Sequence, residues 1–161
     1  MTWLRALMLL ALIVWIGGII FFALVMAPTL FTVLPSTQLA GNVLAPALTK
    51  LHWMGLISGA VFLVSSVAYN WRKYFQLRLF TATHVFVVLM LALTAVSQFV
   101  ITPRMRELRS QLRMVDLLSP VEPVRAEFNR LHEWSTRCES GVLFLGLVVV
   151  VLTARRFGET S

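Results

Sequence analysis

Four apolar runs, each long enough to cross a bilayer, constrain the fold of this chain more than any other feature. They cover roughly residues 3–26, 51–71, 79–101 and 135–154, and a membrane-spanning helix needs about 20 residues. Hydrophobic residues make up 58% of the 161 residues, more apolar surface than a soluble domain of this size can hide. The sequence therefore predicts an all-α integral membrane protein whose four helices contact the lipid bilayer.

These runs are expected to form a single membrane domain over residues 1–161. The predicted spans are about 3–27, 46–71, 78–102 and 134–155, and the predicted extramembrane helical segment is about 103–133. A short basic turn between the second and third runs favours antiparallel neighbours, so the expected architecture is a four-helix antiparallel bundle. The amphipathic spacing of the extramembrane segment indicates that the third and fourth helices extend beyond the bilayer.

Prolines set the expected helix boundaries. Pro28 is predicted to end the first span, and Pro46 suits the first residue of the second helix. The connection at 28–50 is too apolar for a free loop and is expected to lie in the membrane interface. A break at 119–123 indicates that the fourth helix begins near Pro123.

Two stretches of the chain echo each other and suggest a duplicated helical hairpin. Each has an apolar run that ends at a proline and, further on, a cation, a leucine and a histidine: Lys50-Leu51-His52 in one copy, Arg130-Leu131-His132 in the other. The proline-to-histidine spacing is 52 − 28 = 24 in the first copy and 132 − 103 = 29 in the second. Such a repeat would place both histidines at similar depth on the side of the two long connections.

His52 and His132 are the first candidates for chemistry, because imidazole binds metal ions and the iron of haem. Met26 ends the first predicted helix and Met54 follows His52 by two residues. Their thioethers suit copper(I), so the four residues could form a soft metal site with ligands from different helices. The plainer alternative is that the histidines are interfacial and the methionines serve packing.

The fourth helix carries polar residues as it enters the membrane. Asn129, His132 and Thr136 share a face that Glu139 and Ser140 continue, and this stripe is expected to point into the bundle. In the third span, Gln98 is expected to face other helices, where it can find polar partners. Glu133 and Arg137 have the spacing of an ion pair on a helix surface. No phosphate-binding loop, nucleophile elbow or zinc-protease helix is present, so no catalytic residue is assigned.

The net charge of +7 is assigned to the flanks of membrane spans rather than to a nucleic-acid interface, since no basic domain lies outside the bilayer. With cytoplasmic termini, six cations lie close to the span ends inside and eight are spread over the long connections outside. The clustering favours cytoplasmic termini, whereas the raw count favours the reverse. We expect both termini to be cytoplasmic, in a bacterial inner membrane.

A set of short motifs distributed over nearly the whole chain resembles a known family. The motifs are Trp15-Ile16-Gly17-Gly18, Phe21-Phe22, Ala27-Pro28, Phe31, Pro103, Leu108-Arg109, Phe128, Leu131-His132 and Ser135. They resemble the transmembrane protein 205-like family, a four-span domain of unknown function. That family is distantly similar to the copper-resistance protein D group and to the four-span protoporphyrinogen oxidase group. The resemblance implies a four-helix bundle and gives the His132 region functional weight.

Three functions remain open from the sequence. The leading hypothesis is a membrane protein, not an enzyme, that binds or moves a small ligand such as a metal ion or haem on the side of the 28–50 and 103–133 connections. The second is a haem-dependent membrane oxidoreductase; the oxidase group is expected to pair an early membrane histidine with a lysine, and the first helix has neither. The third is an assembly partner of another membrane protein or of a second copy of the chain.

Overall fold

The computed structural model describes residues 2–74, 82–115 and 122–158, and all regular structure within them is helical. The helices are α1 (Thr2–Phe21), α2 (Ala27–Val33), α3 (Thr37–Tyr74), α4 (Ala82–Val96), α5 (Thr102–Val115) and α6 (Glu122–Gly158). The π-helical turns Phe22–Met26 and Ser97–Ile101 join α1 to α2 and α4 to α5. Most of the predicted basic turn and most of the predicted break near residue 120 lie outside the described residues.

The six helices make four long rods that pack as a ring. The rod of α1 and α2 packs against α3, α3 against α4, α4 against α6, and α6 against α1. Four helices are long and apolar enough to cross a membrane, over Thr2–Val33, Thr37–Arg72, Ala82–Leu112 and Pro123–Arg155. The predicted all-α, four-helix membrane bundle is confirmed, as is the start of the last helix near Pro123.

Each π-helical turn ends two residues before a proline, Pro28 in one rod and Pro103 in the other. A proline ring inside an α-helix clashes with the carbonyl of residue i−4, which here belongs to Leu24 or Phe99, and removes one hydrogen bond. Both of those carbonyls lie in the wider π-helical turn, where the bonding pattern is already shifted to i→i+5. The helix therefore continues past the proline. Both halves of the chain contain this π-helical turn before a proline, which is what a duplicated hairpin predicts.

Two predicted boundaries are wrong. Pro28 does not end the first helix, because the π-helical turn lets α2 continue to Val33. Pro46 does not begin the second helix either: α3 starts at Thr37, and Pro46 lies inside it. The Ser36 hydroxyl accepts a hydrogen bond from the backbone N–H of Leu39, so Ser36 serves as the cap that starts α3. Most of the connection at 28–50 is therefore helical.

The bundle core forms where the Trp15 indole lies against two glycines of α3. Trp15 is only 2% exposed, and a Cβ atom built at Gly55 or Gly59 would collide with its ring. On α1, a Cβ at Gly18 would lie 2.5 Å from the Met54 side chain, whereas one at Gly17 meets nothing within 4 Å. Of the two adjacent glycines of α1, Gly18 is therefore the one that lies close to a neighbouring helix, and Gly17 is not.

An arginine clamp joins three helices where they project past the ring. The Arg109 side chain donates a hydrogen bond of 2.6 Å to the Gly41 carbonyl of α3, and its guanidinium lies 5.5 Å from the centre of the Phe128 ring on α6. Nearby, Arg104 donates to both Glu107 and Glu127, which ties α5 to α6. The projecting part of the chain is thus a small three-helix unit with its own contacts.

Replacing Arg109 with alanine is expected to loosen this unit. The change removes a charge-assisted hydrogen bond and a cation–π contact together, so amide exchange in α5 should rise by about tenfold. Hydrogen–deuterium exchange of the detergent-purified protein measures this. Arg106→Ala is the matched control, because Arg106 is exposed and has no partner among the described residues; equal exchange in the two variants would contradict the clamp.

Candidate functional site

A buried imidazole connects three helices inside the ring. The Nδ1 atom of His52 on α3 lies 3.0 Å from the Oε1 atom of Gln98, and its Nε2 atom lies 2.7 Å from the Oε1 atom of Glu139 on α6. The His52 side chain is 1% exposed and the Glu139 side chain 18% exposed. Both ring nitrogens are therefore engaged by polar side chains, and Glu139 is the member of the cluster that reaches the surface.

The backbone brings these three groups together by different means. Gln98 lies in the π-helical turn that precedes Pro103, and π-bulges are frequent at functional sites because they re-aim side chains. Glu139 belongs to the inward face of α6, whose other buried positions follow a helical spacing. They are Ser135, Val142, Gly146, Val149 and Thr153. His52 follows buried Leu51 on α3 and enters the interior from there.

The cluster lies where the apolar outer surface of the bundle gives way to charge. Exposed cations occur at Lys50, Arg104 and Arg137, which are 2, 6 and 2 residues from the three site residues. On the other side of the cluster, further along the same rods, the exposed side chains are large and apolar, such as Ile57, Val96 and Phe144. The site therefore lies between exposed basic residues and the long apolar surface of these rods.

A second polar layer occupies the other end of the ring. There Arg5 donates a hydrogen bond of 2.8 Å to the Tyr69 hydroxyl. Asn70, the residue after Tyr69, is buried, and so are Thr83 and His84 in the first turn of α4. Between the two ends, Phe62, Met90 and Val142 are completely buried. Buried side chains, mostly apolar but including the hydroxyls of Ser66 and Thr94, thus fill the middle of the bundle, and the His52 cluster belongs to one end of it.

A hydrogen atom or a cation must lie between His52 and Glu139 whichever way the Gln98 amide is turned. If the Gln98 oxygen faces Nδ1, then Nδ1 donates to it; if the amide nitrogen faces Nδ1, the amide donates instead, and the proton of a neutral imidazole is on Nε2. In both arrangements two bare lone pairs 2.7 Å apart would repel, so a hydrogen or a metal ion lies between Nε2 and the Glu139 oxygen.

The four residues of the predicted soft site occupy three places. His52 is in the buried cluster, and Met26 and Met54 line a groove between α1 and α3. His132 is exposed, and its ring stacks on Phe128 with 6.5 Å between ring centres. It lies seven residues, about 10 Å along the helix axis, before Glu139. Residues 52 and 54 differ by about 200° around a helix, which sends their side chains to opposite faces of α3.

The predicted polar stripe of α6 is only partly directed inward. Glu139 faces the bundle, whereas Asn129, Thr136 and Ser140 are exposed. The buried face contains Ser135 rather than Thr136, and it shares Glu139 with the predicted stripe. The predicted ion pair is confirmed, with 2.6 Å between Arg137 and Glu133, both largely exposed.

Gln98 is the residue that sequence analysis did not assign to the site. It was expected to face other helices, but nothing linked it to His52. The sequence feature that indicates its role is that Gln98 is the one carboxamide side chain in the apolar run at 79–101. Polar groups in such runs need partners inside the protein. Within the described residues, no group of three or more histidine, cysteine, aspartate or glutamate side chains could hold a metal ion.

Comparison with known proteins gives one match. The sequence model of the family described as "Domain of unknown function (DUF4149)" matches residues 10–113, which include His52 and Gln98 but not Glu139. No curated protein matches the chain, and no solved structure does. The match agrees with the expectation of a domain of unknown function.

Proposed function

We propose that this chain, which belongs to the DUF4149 family, is an integral membrane protein that binds a small cation between its helices. The cation is held by His52 and Glu139, on the side of the bundle where α2, α5 and the beginning of α6 lie. A proton occupies the site in the absence of metal, and a divalent metal ion is the ligand that displaces it. The imidazole–carboxylate contact of 2.7 Å is the observation that carries this proposal.

The donor set suits a metal ion of intermediate hardness. Zinc is bound by imidazole nitrogen and carboxylate oxygen, and a ligating histidine commonly donates its other N–H to a second protein group. Gln98 is placed to receive that hydrogen bond. Copper(I) prefers thioethers, and Met26 and Met54 line a different surface. The geometry therefore favours zinc or a similar ion over copper(I) at His52.

Binding, rather than movement across the membrane, is the better supported half of the hypothesis. A transport path would have to pass the mostly apolar middle of the bundle, where Phe62, Met90 and Val142 are completely buried. Glu139 is partly exposed, so an ion can reach the site from one side. With only two protein ligands, the site would hold its ion weakly and exchange it readily.

Haem receives less support from the geometry. Both ring nitrogens of His52 are already engaged, and the ring is too buried to face a macrocycle. The groove between α1 and α3 has a volume of about 220 Å³ and contains no histidine. Typical small-molecule sites enclose roughly 300–1,000 Å³.

Cobalt(II) titration of the detergent-purified protein tests the proposal, since cobalt replaces zinc and reports its ligands by visible absorption. We expect saturable binding of one ion, because His52 and Glu139 offer one nitrogen and one oxygen ligand to the same ion. Glu139→Gln should weaken the affinity by at least about tenfold, since it removes the anionic ligand. Glu133→Gln, on the same helix but exposed, should leave the affinity unchanged.

Three outcomes would contradict the proposal. Cobalt binding that is equal in the Glu139 and Glu133 variants would move the ion to another site. No binding to the unaltered protein over pH 6–9 would remove the metal ion from the hypothesis. A haem absorption band in the protein as purified would instead support the oxidoreductase alternative.

A further inference from the structure

A groove on the outside of the bundle has a lysine at one end. It lies between the first rod and α3, on a different face of α3 from His52. One wall is formed by Phe21, Phe22 and Met26, and the other by Ala47, Lys50 and Met54. We infer that this groove binds an anionic phospholipid of the surrounding bilayer, with the headgroup at Lys50 and one acyl chain along the aromatic wall. The inference is independent of the proposed cation site.

The direction of the groove fits a lipid molecule. Lys50 is the one charged residue that lines the groove, and it lies two residues before His52. From there the groove runs toward Met54 and Gly18, deeper along both helices. A Cβ atom at Gly18 would meet the Met54 side chain, so glycine keeps α1 and α3 close at this depth. A phospholipid has the same polarity, with charge at the interface and hydrocarbon below it.

The charge of Lys50 lacks a protein partner. It is the only charged residue between Thr37 and Trp71, it is exposed, and it has no carboxylate partner among the described residues. A lysine stem can lie along apolar surface while its ammonium stays at headgroup level. An anionic phosphate is the complementary charge that the bilayer itself supplies at that depth.

The walls of the groove favour a flexible occupant over a second helix. Tight helix–helix contacts in membranes use small residues. Of the residues that line this groove only Gly18 and Ala47 are small, and Gly18 already lies against Met54 of α3. Phe21 is well exposed, and thioether side chains adapt to irregular partners. An acyl chain, which is also flexible, can follow such a wall where a rigid helix backbone cannot approach.

Native mass spectrometry of the full chain released from detergent tests the inference. The probes are phosphatidylglycerol, phosphatidylcholine with the same acyl chains, and oleate. We expect one phosphatidylglycerol to be retained in preference to the other two. Lys50→Gln should lower its retention by about fivefold, and Arg130→Gln, which removes an equally exposed cation outside the groove, should leave it unchanged. Ala47→Phe should fill the groove and lower the retention of phosphatidylglycerol and phosphatidylcholine alike.

The opposite results would overturn the inference. Equal retention of phosphatidylglycerol and phosphatidylcholine removes the role of charge. Equal losses in the Lys50 and Arg130 variants assign the effect to the basic surface as a whole. A preference for oleate identifies a free fatty acid as the occupant, and a dimer that disappears with Ala47→Phe identifies a second copy of the chain. Cobalt binding should be unaffected by Lys50→Gln, which separates this test from that of the cation site.

Discussion

Replacing His52 with leucine is expected to lower the free energy of unfolding by about 3–5 kcal/mol. The imidazole is 1% exposed and contacts both Gln98 and Glu139. Leucine leaves the buried Gln98 amide and the partly exposed Glu139 carboxylate without their shared partner, and each buried polar group left unsatisfied costs about 1–3 kcal/mol, more when it is charged. Reversible unfolding of the purified protein in mixed micelles would measure the difference.

The same contact predicts strong coupling between the two residues. Adding Glu139→Leu to the His52→Leu variant should recover part of the lost stability, because the second change removes the unpaired carboxylate. The exposed pair of Glu133 and Arg137 provides the control: Glu133→Leu should change the stability by no more than about 0.5 kcal/mol. Additive effects of the His52 and Glu139 substitutions would show that the two side chains do not interact.

Hydropathy was sufficient to predict the class of fold, because a span of about 20 apolar residues has few alternatives to a membrane helix. The helix ends were predicted less well, and both errors involve proline. Pro28 and Pro46 were interpreted as boundaries since proline removes an N–H and clashes with the preceding turn. Inside a long rod, the π-helical turn before Pro28 removes that clash, and the pattern of apolar residues gives no sign of it.

The sequence predicted the individual residues of the candidate site better than it predicted that they contact one another. His52 was singled out, Glu139 was recognised as an unusual polar residue in a span, and Gln98 was expected to face other helices. Their contact depends on how far each helix is rotated about its axis, and one residue corresponds to about 100°. The π-helical turn shifts Gln98 in a way that a 3.6-residue period does not describe, and the true inward face of α6 contains Ser135 rather than Thr136.

The duplicated hairpin is consistent with the paired π-helical turns, but the two histidines have different surroundings. Near the first π-helical turn the chain carries Phe22 and Met26, and an outer groove forms there. In the second, Ser97 and Gln98 are buried, and the polar cluster forms. The two π-helical turns therefore adjoin different surfaces. His52 and His132 have similar neighbours in the sequence, but their contacts in the structure differ.

Gly55→Ala is expected to destabilise the bundle by about 1–3 kcal/mol, the usual cost of overpacking a close-packed core. The added methyl group would enter the space occupied by the Trp15 ring, which is rigid and also lies against Gly59 one turn further along α3. Gly17→Ala is the matched control, since a Cβ there meets nothing within 4 Å; it should be neutral or gain up to about 1 kcal/mol from higher helix propensity. The unfolding measurement used for His52 compares them directly.

The Gly55→Ala substitution should also weaken cation binding, because Gly55 lies one helical turn after His52. Moving α1 away from α3 would shift the segment of α3 that presents the imidazole to Gln98 and Glu139. We therefore expect weaker cobalt binding in Gly55→Ala and unchanged binding in Gly17→Ala. Shortening the indole with Trp15→Phe in the Gly55→Ala background should restore space for the methyl group, and with it both stability and cobalt affinity. If Gly55→Ala unfolds like the unaltered protein, the close approach of Trp15 to α3 is not what holds the first rod in place.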